Sequence, residues 1–262
     1  MITIIGLGEI GGNVFSEMGK IFGKNEVFGV DLDKKKLEEY KKKGFFVGEK
    51  APTSEVYIIA VYTTDQVMDV IKSLDYSKKP LVSIESTILP GTSKKILEWK
   101  TKNKKEFDLL LFPHRFNPCD VEHYVFNLDR VMGGENERAL KRGLELFSKC
   151  MNKKLIHTTT LEVAELTKPV ENAYRFMEIA IAQELKKSCE EKGIDFEELR
   201  KAASTKWNIK ILEAREGVGG KCLPKDIQLI NSFFPDNELF KKGFEFNENY
   251  KKSVVEKTKK KK

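Results

Sequence analysis

One stretch decides the fold: Ile2-Thr3-Ile4-Ile5-Gly6-Leu7-Gly8-Glu9-Ile10-Gly11, a short run of β-favouring residues that leads directly into three spaced glycines. Apolar residues then recur at helical spacing, and a second β-favouring run, 27–30, ends at Asp31. An acid about 20 positions after the last glycine completes the order strand, glycine turn, helix, strand, acid. This order predicts a unit that binds a dinucleotide.

The three glycines have different tasks in such a unit. The first makes the tight turn, the second lets the backbone approach a pyrophosphate, and the third lets the helix pack closely on the strand. The helix N-terminus then faces the phosphates. The predicted cofactor contacts are Gly6, Gly8, Glu9, Ile10 and Gly11. Asp31 can accept hydrogen bonds from both adenosine ribose hydroxyls and would repel a 2′-phosphate, so NAD is favoured over NADP.

Strands and helices continue to alternate through the first half of the chain. Apolar strand-like runs at 56–61, 81–85 and 109–112 are separated by helical patterns. The predicted fold class is therefore α/β, with a doubly wound parallel sheet of the Rossmann type whose ligands bind beyond the carboxyl ends of the strands. Candidate site residues at such ends are Thr63, Thr87 and the segment Phe112-Pro113-His114-Arg115. Each of them is equally readable as an ordinary turn residue or helix cap.

A long helical pattern begins the second half. It runs from about Leu161 to Lys192, and roughly 30 helical residues span ~45 Å, more than one small domain needs. Such a helix commonly links domains and forms the seam of a dimer, and Pro169 should kink it or mark a junction between two helices. We therefore predict a Rossmann domain at 1–158, an all-helical dimerisation domain at 159–258 and a lysine tail at 259–262.

A glycine-rich loop carries a cysteine in the stretch Glu216-Gly217-Val218-Gly219-Gly220-Lys221-Cys222-Leu223-Pro224-Lys225-Asp226. Glycines at this density are used where the backbone takes positive φ or comes close to a ligand. The Leu-Pro pair predicts a helix start, and a cysteine at a helix N-terminus favours thiolate chemistry. The other interpretation is a flexible turn with a buried structural thiol. Lys168 and Asn172 share one helix face, although by themselves they are more simply explained as a solvated lysine and a neutral surface asparagine.

Composition argues against several classes of function. Much of the net charge of +7 lies in lysine runs typical of solvated surface, without interleaved aromatic residues for stacking on nucleic acid. No apolar run approaches the ~20 residues that span a bilayer, and the chain enters its first strand pattern without a targeting leader. The four cysteines are widely spaced and no histidines cluster, which fits a reducing cytoplasm and predicts no metal site.

Four motifs together resemble the UDP-glucose/GDP-mannose dehydrogenase family, in order along nearly the whole chain. They are Glu85-Ser86-Thr87-Ile88-Leu89-Pro90-Gly91-Thr92, Asp129-Arg130-Val131-Met132-Gly133-Gly134, Ala164-Glu165-Leu166-Thr167-Lys168-Pro169-Val170-Glu171-Asn172-Ala173-Tyr174-Arg175 and Gly217-Val218-Gly219-Gly220-Lys221-Cys222-Leu223-Pro224-Lys225-Asp226. The resemblance implies that a primary alcohol of a nucleotide sugar is oxidised twice, with two NAD, to a carboxylate. It also implies a homodimer formed through the helix that begins near Leu161.

The resemblance further implies the role of each catalytic residue. Cys222 would be the nucleophile, passing through a thiohemiacetal and then a thioester that water hydrolyses. Lys168 would stabilise the developing oxyanion and Asn172 would orient it. Asp226 and Thr87 would handle an active-site water and its proton. The implied cofactor contacts also include Lys36, Thr63 and Thr87, and the implied substrate contacts are His114, Arg115 and Gly219.

Two departures from the family pattern bear on activity. The family has a glutamate after the proline where this chain has His114, and a histidine with a near-neutral pKa can act as a general base in its place. The family also carries a further α/β domain that holds the nucleotide, and this chain ends at the helix leading into it. Either a separate chain supplies that domain or the substrate is not a UDP-sugar.

Two alternatives remain beside this hypothesis. One is a single-step β-hydroxyacid-type dehydrogenase, which also uses a Lys-x-x-x-Asn pair but needs no thiol; the loop around Cys222 counts against it. The other is a non-catalytic dimeric NAD-binding protein. That alternative leaves unexplained why Cys222, Lys168, Asn172, Asp226 and Thr87 all occur together.

Overall fold

A computed structural model describes residues 1–115, 120 and 122–260. The chain divides into two compact units, Met1–Lys168 and Pro169–Lys262. Cys119 and the last two residues of the predicted lysine tail lie outside the described residues. The predicted domain bounds remain a prediction.

The first unit is built on one eight-stranded sheet in the order β3-β2-β1-β4-β5-β6-β7-β8. The strands are β1 Ile2–Ile5, β2 Val27–Val30, β3 Phe46–Gly48, β4 Val56–Ile59, β5 Leu81–Ile84, β6 Asp108–Leu111, β7 Arg130–Gly134 and β8 Ile156–Thr160. The helices between them are α1 Glu9–Phe22, α2 Lys34–Lys42, α3 Thr64–Ser73, α4 Thr92–Lys102 and α5 Glu137–Phe147, with a short 3-10 turn at Lys153–Leu155. The predicted doubly wound Rossmann-type fold is confirmed.

One strand pair differs from the predicted parallel arrangement. β7 runs antiparallel to β6, whereas every other neighbouring pair in the sheet is parallel. The described residues of the 112–129 connection contain no helix. A parallel neighbour needs a crossover connection, so a connection without a helix allows the chain to reverse instead. The three strands not predicted, β3, β7 and β8, are short or poor in apolar residues.

Side chains alternate across the strands and fill a core on each face. One face packs Ile4, Leu110 and Phe112 against α1 and α5, and the other packs Ile5, Leu109 and Leu111 against α3 and α4. This period-2 alternation is expected when both faces of a parallel sheet are covered. The carboxyl ends of the strands are left as the edge at which ligands bind in such sheets.

The second unit is helical. Its elements are most of α6 Leu161–Lys192, then α7 Phe196–Ala203, α8 Cys222–Phe233 and α9 Glu238–Lys260. α6 is one helix through Pro169, so the predicted junction between two helices does not occur. Phe176 of α6 stacks on Phe244 of α9 with ring centroids 5.9 Å apart. Contacts of this kind hold α9 against α6 within the unit.

Candidate active site

The glycine turn has the geometry that a dinucleotide needs. Gly6 has φ +93°, and a Cβ on Gly11 would lie 1.9 Å from the carbonyl oxygen of Gly6, so both positions require glycine. Apart from Gly8 and its two chain neighbours, no heavy atom of the described residues lies within 4 Å of the position of a Cβ on Gly8. No side chain caps the first turn of α1. Open space at a helix N-terminus is what a pyrophosphate occupies, so the turn fits NAD.

Asp31 ties the glycine turn to the end of β2. Its Oδ2 accepts a hydrogen bond from the Leu7 backbone N–H at 2.7 Å, and its Oδ1 accepts one from the Asp33 N–H at 2.9 Å. The Lys36 Nζ lies 3.6 Å from Oδ2. A carboxylate offers about four acceptor positions, so Asp31 keeps acceptor capacity for ribose hydroxyls while it holds the turn in place.

The two predicted threonines follow neighbouring strands. Thr63 is the N-cap of α3, and its side chain forms a capping box with Gln66. The helix-cap interpretation therefore holds for Thr63, although its hydroxyl hydrogen can still be donated to a ligand. Thr87 is half-buried just beyond β5, and Ser86 beside it donates from Oγ to the Val61 carbonyl at 2.7 Å.

Glu165 belongs to one of the four motifs, but the sequence predicted no role for it. The structure shows a structural role. Its buried carboxylate accepts hydrogen bonds from the backbone N–H groups of Gly91 and Ser93, each at 2.8 Å. The carboxylate thus caps α4 and holds the segment that follows Thr87 against α6. Glu165 shares the buried face of α6 with Leu161 and Ala164. The sequence signal for this role was an acidic residue at a position where helical spacing predicts an apolar one.

A buried ion pair lies behind the same strand ends. The Arg130 Nη2 is 3.3 Å from Glu85 Oε1, and neither side chain is exposed. The guanidinium carbon stands 3.7 Å from the centre of the Phe112 ring. Burial raises the pKa of Glu85, and the positive charge of Arg130 opposes that rise. Sequence reasoning missed this pair because its members are 45 residues apart.

His114 is buried next to this pair. Its backbone N–H donates to the Glu85 carbonyl at 3.2 Å. Burial, together with the positive charges of Arg130 and Lys168, lowers the pKa of His114 well below its ordinary value. The imidazole is therefore neutral at neutral pH, which differs from the near-neutral pKa expected from the sequence. Lys168 and Arg115 line a small cleft in this unit, and Arg115 Nη1 donates to the Asp129 carbonyl at 3.0 Å.

The second unit brings three predicted catalytic residues together. Cys222 is the first residue of α8 and is exposed, and no side chain caps this helix end. Asp226 lies one turn later on α8 and is 1% exposed. Its Oδ2 accepts a hydrogen bond from Nδ2 of Asn172 at 2.6 Å. Lys168 of the first unit is one helical turn before Asn172 in α6. Gly219, a predicted substrate contact, is exposed.

Two features are absent from the described residues: a cluster of metal-ligating side chains and a helix that could span a membrane. Nowhere among them do three His, Cys, Asp or Glu side chains gather as metal ligands would. In the same part of the chain, no helix has both the length and the apolar character needed to cross a bilayer.

Two family models match the chain. The model of the UDP-glucose/GDP-mannose dehydrogenase family, NAD binding domain, matches residues 45–151, and that of the central domain of the same family matches residues 162–249. The matches cover strands β3 to β7 and the helical unit with Cys222 as far as residue 249. The glycine turn precedes them.

Curated relatives and solved structures agree with these models. A UDP-N-acetyl-D-mannosamine dehydrogenase from Methanocaldococcus jannaschii is 32% identical over 99% of this chain and 68% of its own length. One from Methanococcus maripaludis is 29% identical over 95% of this chain and 65% of its own length. The chain thus spans about two thirds of the length of these relatives.

The structure of a UDP-D-ManNAc dehydrogenase from Pyrococcus horikoshii is 27% identical, with a TM-score of 0.83, over 95% of this chain and 69% of that one. A 3-hydroxyisobutyrate dehydrogenase from Salmonella typhimurium has a TM-score of 0.67 at 14% identity, over 93% of this chain and 91% of that one. The second likeness is one of fold alone.

Proposed function

The chain belongs to the UDP-glucose/GDP-mannose dehydrogenase family, and from that membership we propose that it oxidises a primary alcohol of a nucleotide sugar through a covalent intermediate on Cys222. Membership confirms three predictions from the sequence: the family, NAD as the cofactor, and NAD-dependent dehydrogenase as the class of enzyme. The complete reaction, its substrate and the role of each residue are our proposal.

The observation that carries the proposal is the arrangement around Cys222. An exposed cysteine that opens α8, with buried Asp226 one turn later and Asn172 bonded to that carboxylate, combines a nucleophile with groups that handle a proton. A helix N-terminus favours the thiolate form of a cysteine. A structural cysteine would have no need of this exposure, and a scaffold would have no need of the buried carboxylate.

The chemistry follows from these groups. Bound NAD supplies a hydride acceptor for each of two oxidations, of the alcohol to an aldehyde and of the Cys222 adduct to a thioester. Between them, the Cys222 Sγ adds to the aldehyde carbon and the carbonyl electron pair moves to oxygen. The ammonium group of Lys168 stabilises that negative charge, and the amide N–H of Asn172 not used by Asp226 orients it. Water then adds to the thioester, the C–S bond breaks, and the products are a carboxylate and the Cys222 thiol.

Two groups share the proton transfers in this proposal. Asp226, with Thr87, takes the proton of the alcohol through an active-site water. His114 takes the place of the family glutamate and accepts the proton of the hydrolytic water. Its imidazole is unprotonated at neutral pH and can accept a proton, but a pKa well below the ordinary value makes it a weaker base than an exposed histidine.

The substrate class we propose is a UDP-linked N-acetylhexosamine, because the relatives are named for UDP-N-acetyl-D-mannosamine. Arg115 and Gly219 are the proposed contacts to it.

We propose a homodimer formed through α6 as well. Val170, Tyr174 and Ile181 are 42%, 62% and 53% exposed, and their spacing of four and seven residues places them on one helix stripe. A second copy that covers this stripe removes apolar surface from water. Sedimentation should give a dimer that Ile181→Asp weakens. We also propose that the protein works in a reducing cytoplasm, as the wide spacing of its cysteines predicts.

The decisive experiment counts the NADH formed per molecule of UDP-N-acetyl-D-mannosamine consumed. An NAD-dependent relative of known activity, assayed in parallel, serves as the standard. Two NADH per substrate are expected. One NADH with an aldehyde product would support the single-step alternative. No NADH from this or other nucleotide sugars, in protein that NAD protects against melting, would support the non-catalytic alternative.

A further inference from the structure

We propose that Asn247 is a positioning residue for the nucleophile, because its buried amide on α9 holds the backbone of the loop that leads to Cys222. Since Cys222 is the nucleophile only in our proposed function, this inference depends on that function for its catalytic meaning. The anchoring itself is a property of the second unit alone. It can be tested by the chemical reactivity of the thiol, without any substrate.

The central contact joins two buried groups. The Oδ1 of Asn247 accepts a hydrogen bond from the Val218 backbone N–H at 2.7 Å, and these two residues are 0% and 1% exposed. A buried backbone N–H in a loop has no ladder partner, so it must be satisfied by a side chain or water. The partner here comes from a helix 29 residues further along the chain.

The neighbours of Asn247 orient its amide. The Nδ2 donates to Glu248 Oε1 at 3.1 Å, and that oxygen also accepts from Lys251 Nζ at 2.8 Å. A carboxylate only accepts hydrogen bonds, so the amide nitrogen must face Glu248 and the amide oxygen must face Val218. The network thus selects the orientation that holds the loop.

Two further residues on the same face of α9 contact the loop. Tyr250 and Lys251 follow Asn247 by three and four residues, the spacing of one helix face. The Tyr250 hydroxyl lies 3.4 Å from the Arg215 carbonyl oxygen, as a donor. The stem of Lys251 covers Gly217, where an added Cβ would lie 2.4 Å from the Lys251 Cγ. One helix face therefore holds residues 215, 217 and 218.

The loop needs this support because of its backbone. Arg215 has φ +52° and Gly217 has φ +124°, both in the left-handed region. Such conformations persist when surrounding structure determines them. Val218 is buried, whereas Gly219, Gly220, Lys221 and Cys222 are exposed. Val218 is thus the nearest buried residue before the nucleophile in the chain, and its position sets where α8 begins.

The test compares thiol reactivity and turnover in a set of variants. Asn247→Ala leaves the Val218 N–H without its acceptor. Asn247→Asp places a second carboxylate beside that of Glu248, so the two side chains repel each other. In the double variant Asn247→Asp with Glu248→Gln, the glutamine amide can donate a hydrogen bond to the new carboxylate. Asn249→Ala, at an exposed position on the same helix, is the matched control. Alkylation of Cys222 by iodoacetamide is timed by peptide mass mapping, and kcat and KM for NAD are measured with the nucleotide sugar.

We expect Asn247→Ala and Asn247→Asp to lower the alkylation rate of Cys222 severalfold and kcat about 10- to 100-fold, with KM for NAD unchanged. The double variant should recover most of both rates, which a general loss of stability would not do. Wild-type alkylation rates in folded Asn247→Ala and Asn247→Asp overturn the proposal. Should Asn247→Ala not fold, equal alkylation rates in Asn247→Asp and the double variant overturn it. If the wild-type protein has no turnover, the proposed function fails while the alkylation rates still decide the anchoring.

Discussion

Asn172 donates a hydrogen bond from Nδ2 to Oδ2 of Asp226 at 2.6 Å, which couples α6 to α8 inside the second unit. Asp226 is 1% exposed, and this bond, with the Lys225 Nζ 3.6 Å from Oδ1, offsets part of the cost of burying its carboxylate. The amide expected to orient an oxyanion therefore has a second task. One N–H of its amide holds Asp226, and the second N–H is the donor that we propose for a ligand.

The first prediction follows from that bond. Asn172→Asp places two carboxylates within hydrogen-bond distance, so one must stay protonated and the apparent pKa of the pair rises. A raised pKa in the folded state gives stability that is present at low pH and is lost as pH rises. Thermal melts of the variant should show a larger deficit from wild type at pH 8 than at pH 5. Asn172→Ala adds no charge and should lose about 1–3 kcal/mol of unfolding free energy at both pH values. An Asn172→Asp deficit of the same size at both pH values would contradict this prediction.

A second prediction concerns cofactor choice. NAD should raise the melting temperature more than NADP, because we predict that the Asp31 carboxylate lies where it would repel a 2′-phosphate. Asp31→Asn should narrow that difference, and it should also weaken binding of both cofactors because Oδ2 holds the Leu7 N–H. Asp33→Asn is the control, since Asp33 caps α2 through Lys35 and Lys36. It should change the melting temperature little, because Asn caps a helix about as well as Asp, and it should keep the preference for NAD. Equal protection by NAD and NADP in the wild type would refute the assignment of Asp31.

The third prediction separates binding from covalent chemistry. Cys222→Ser should retain protection by NAD and yield at most one NADH per substrate, since a serine hydroxyl is a weak substitute for a thiolate. Cys150→Ser is the matched control, because burial raises the pKa of the Cys150 thiol to about 12 and keeps it protonated. That variant should still yield two NADH. Unchanged turnover in Cys222→Ser would rule out a thioester on this residue.

The fourth prediction uses the burial of His114. The pKa of His114 is depressed in the folded state. As pH falls below about 6.5, His114 therefore binds a proton in the unfolded chain but not in the folded chain. The free energy of unfolding should therefore decrease on acidification from that pH, by up to about 1.4 kcal/mol per pH unit from this group. His114→Gln should flatten the slope in urea titrations between pH 7 and pH 5. A wild-type slope in His114→Gln would argue against a buried neutral His114.

The sequence alone determined the features that depend on neighbours along the chain. Glycine spacing with Asp31 predicted the dinucleotide turn, apolar periodicity predicted the alternation of strands and helices, and Leu-Pro after Cys222 predicted the start of α8. Each of these depends on local backbone preference or on side-chain period, which a short window of residues already contains.

Tertiary structure alone decided the contacts between distant segments. The antiparallel β7, the buried Glu85–Arg130 pair, the capping of α4 by Glu165 and the hydrogen bond from Val218 to Asn247 all join residues far apart in sequence. No periodicity records such pairings, because they arise when packing buries polar groups that must then find partners wherever the fold brings them. The same burial turned His114 from an ordinary histidine into one that stays neutral, since desolvation is a property of the packed interior.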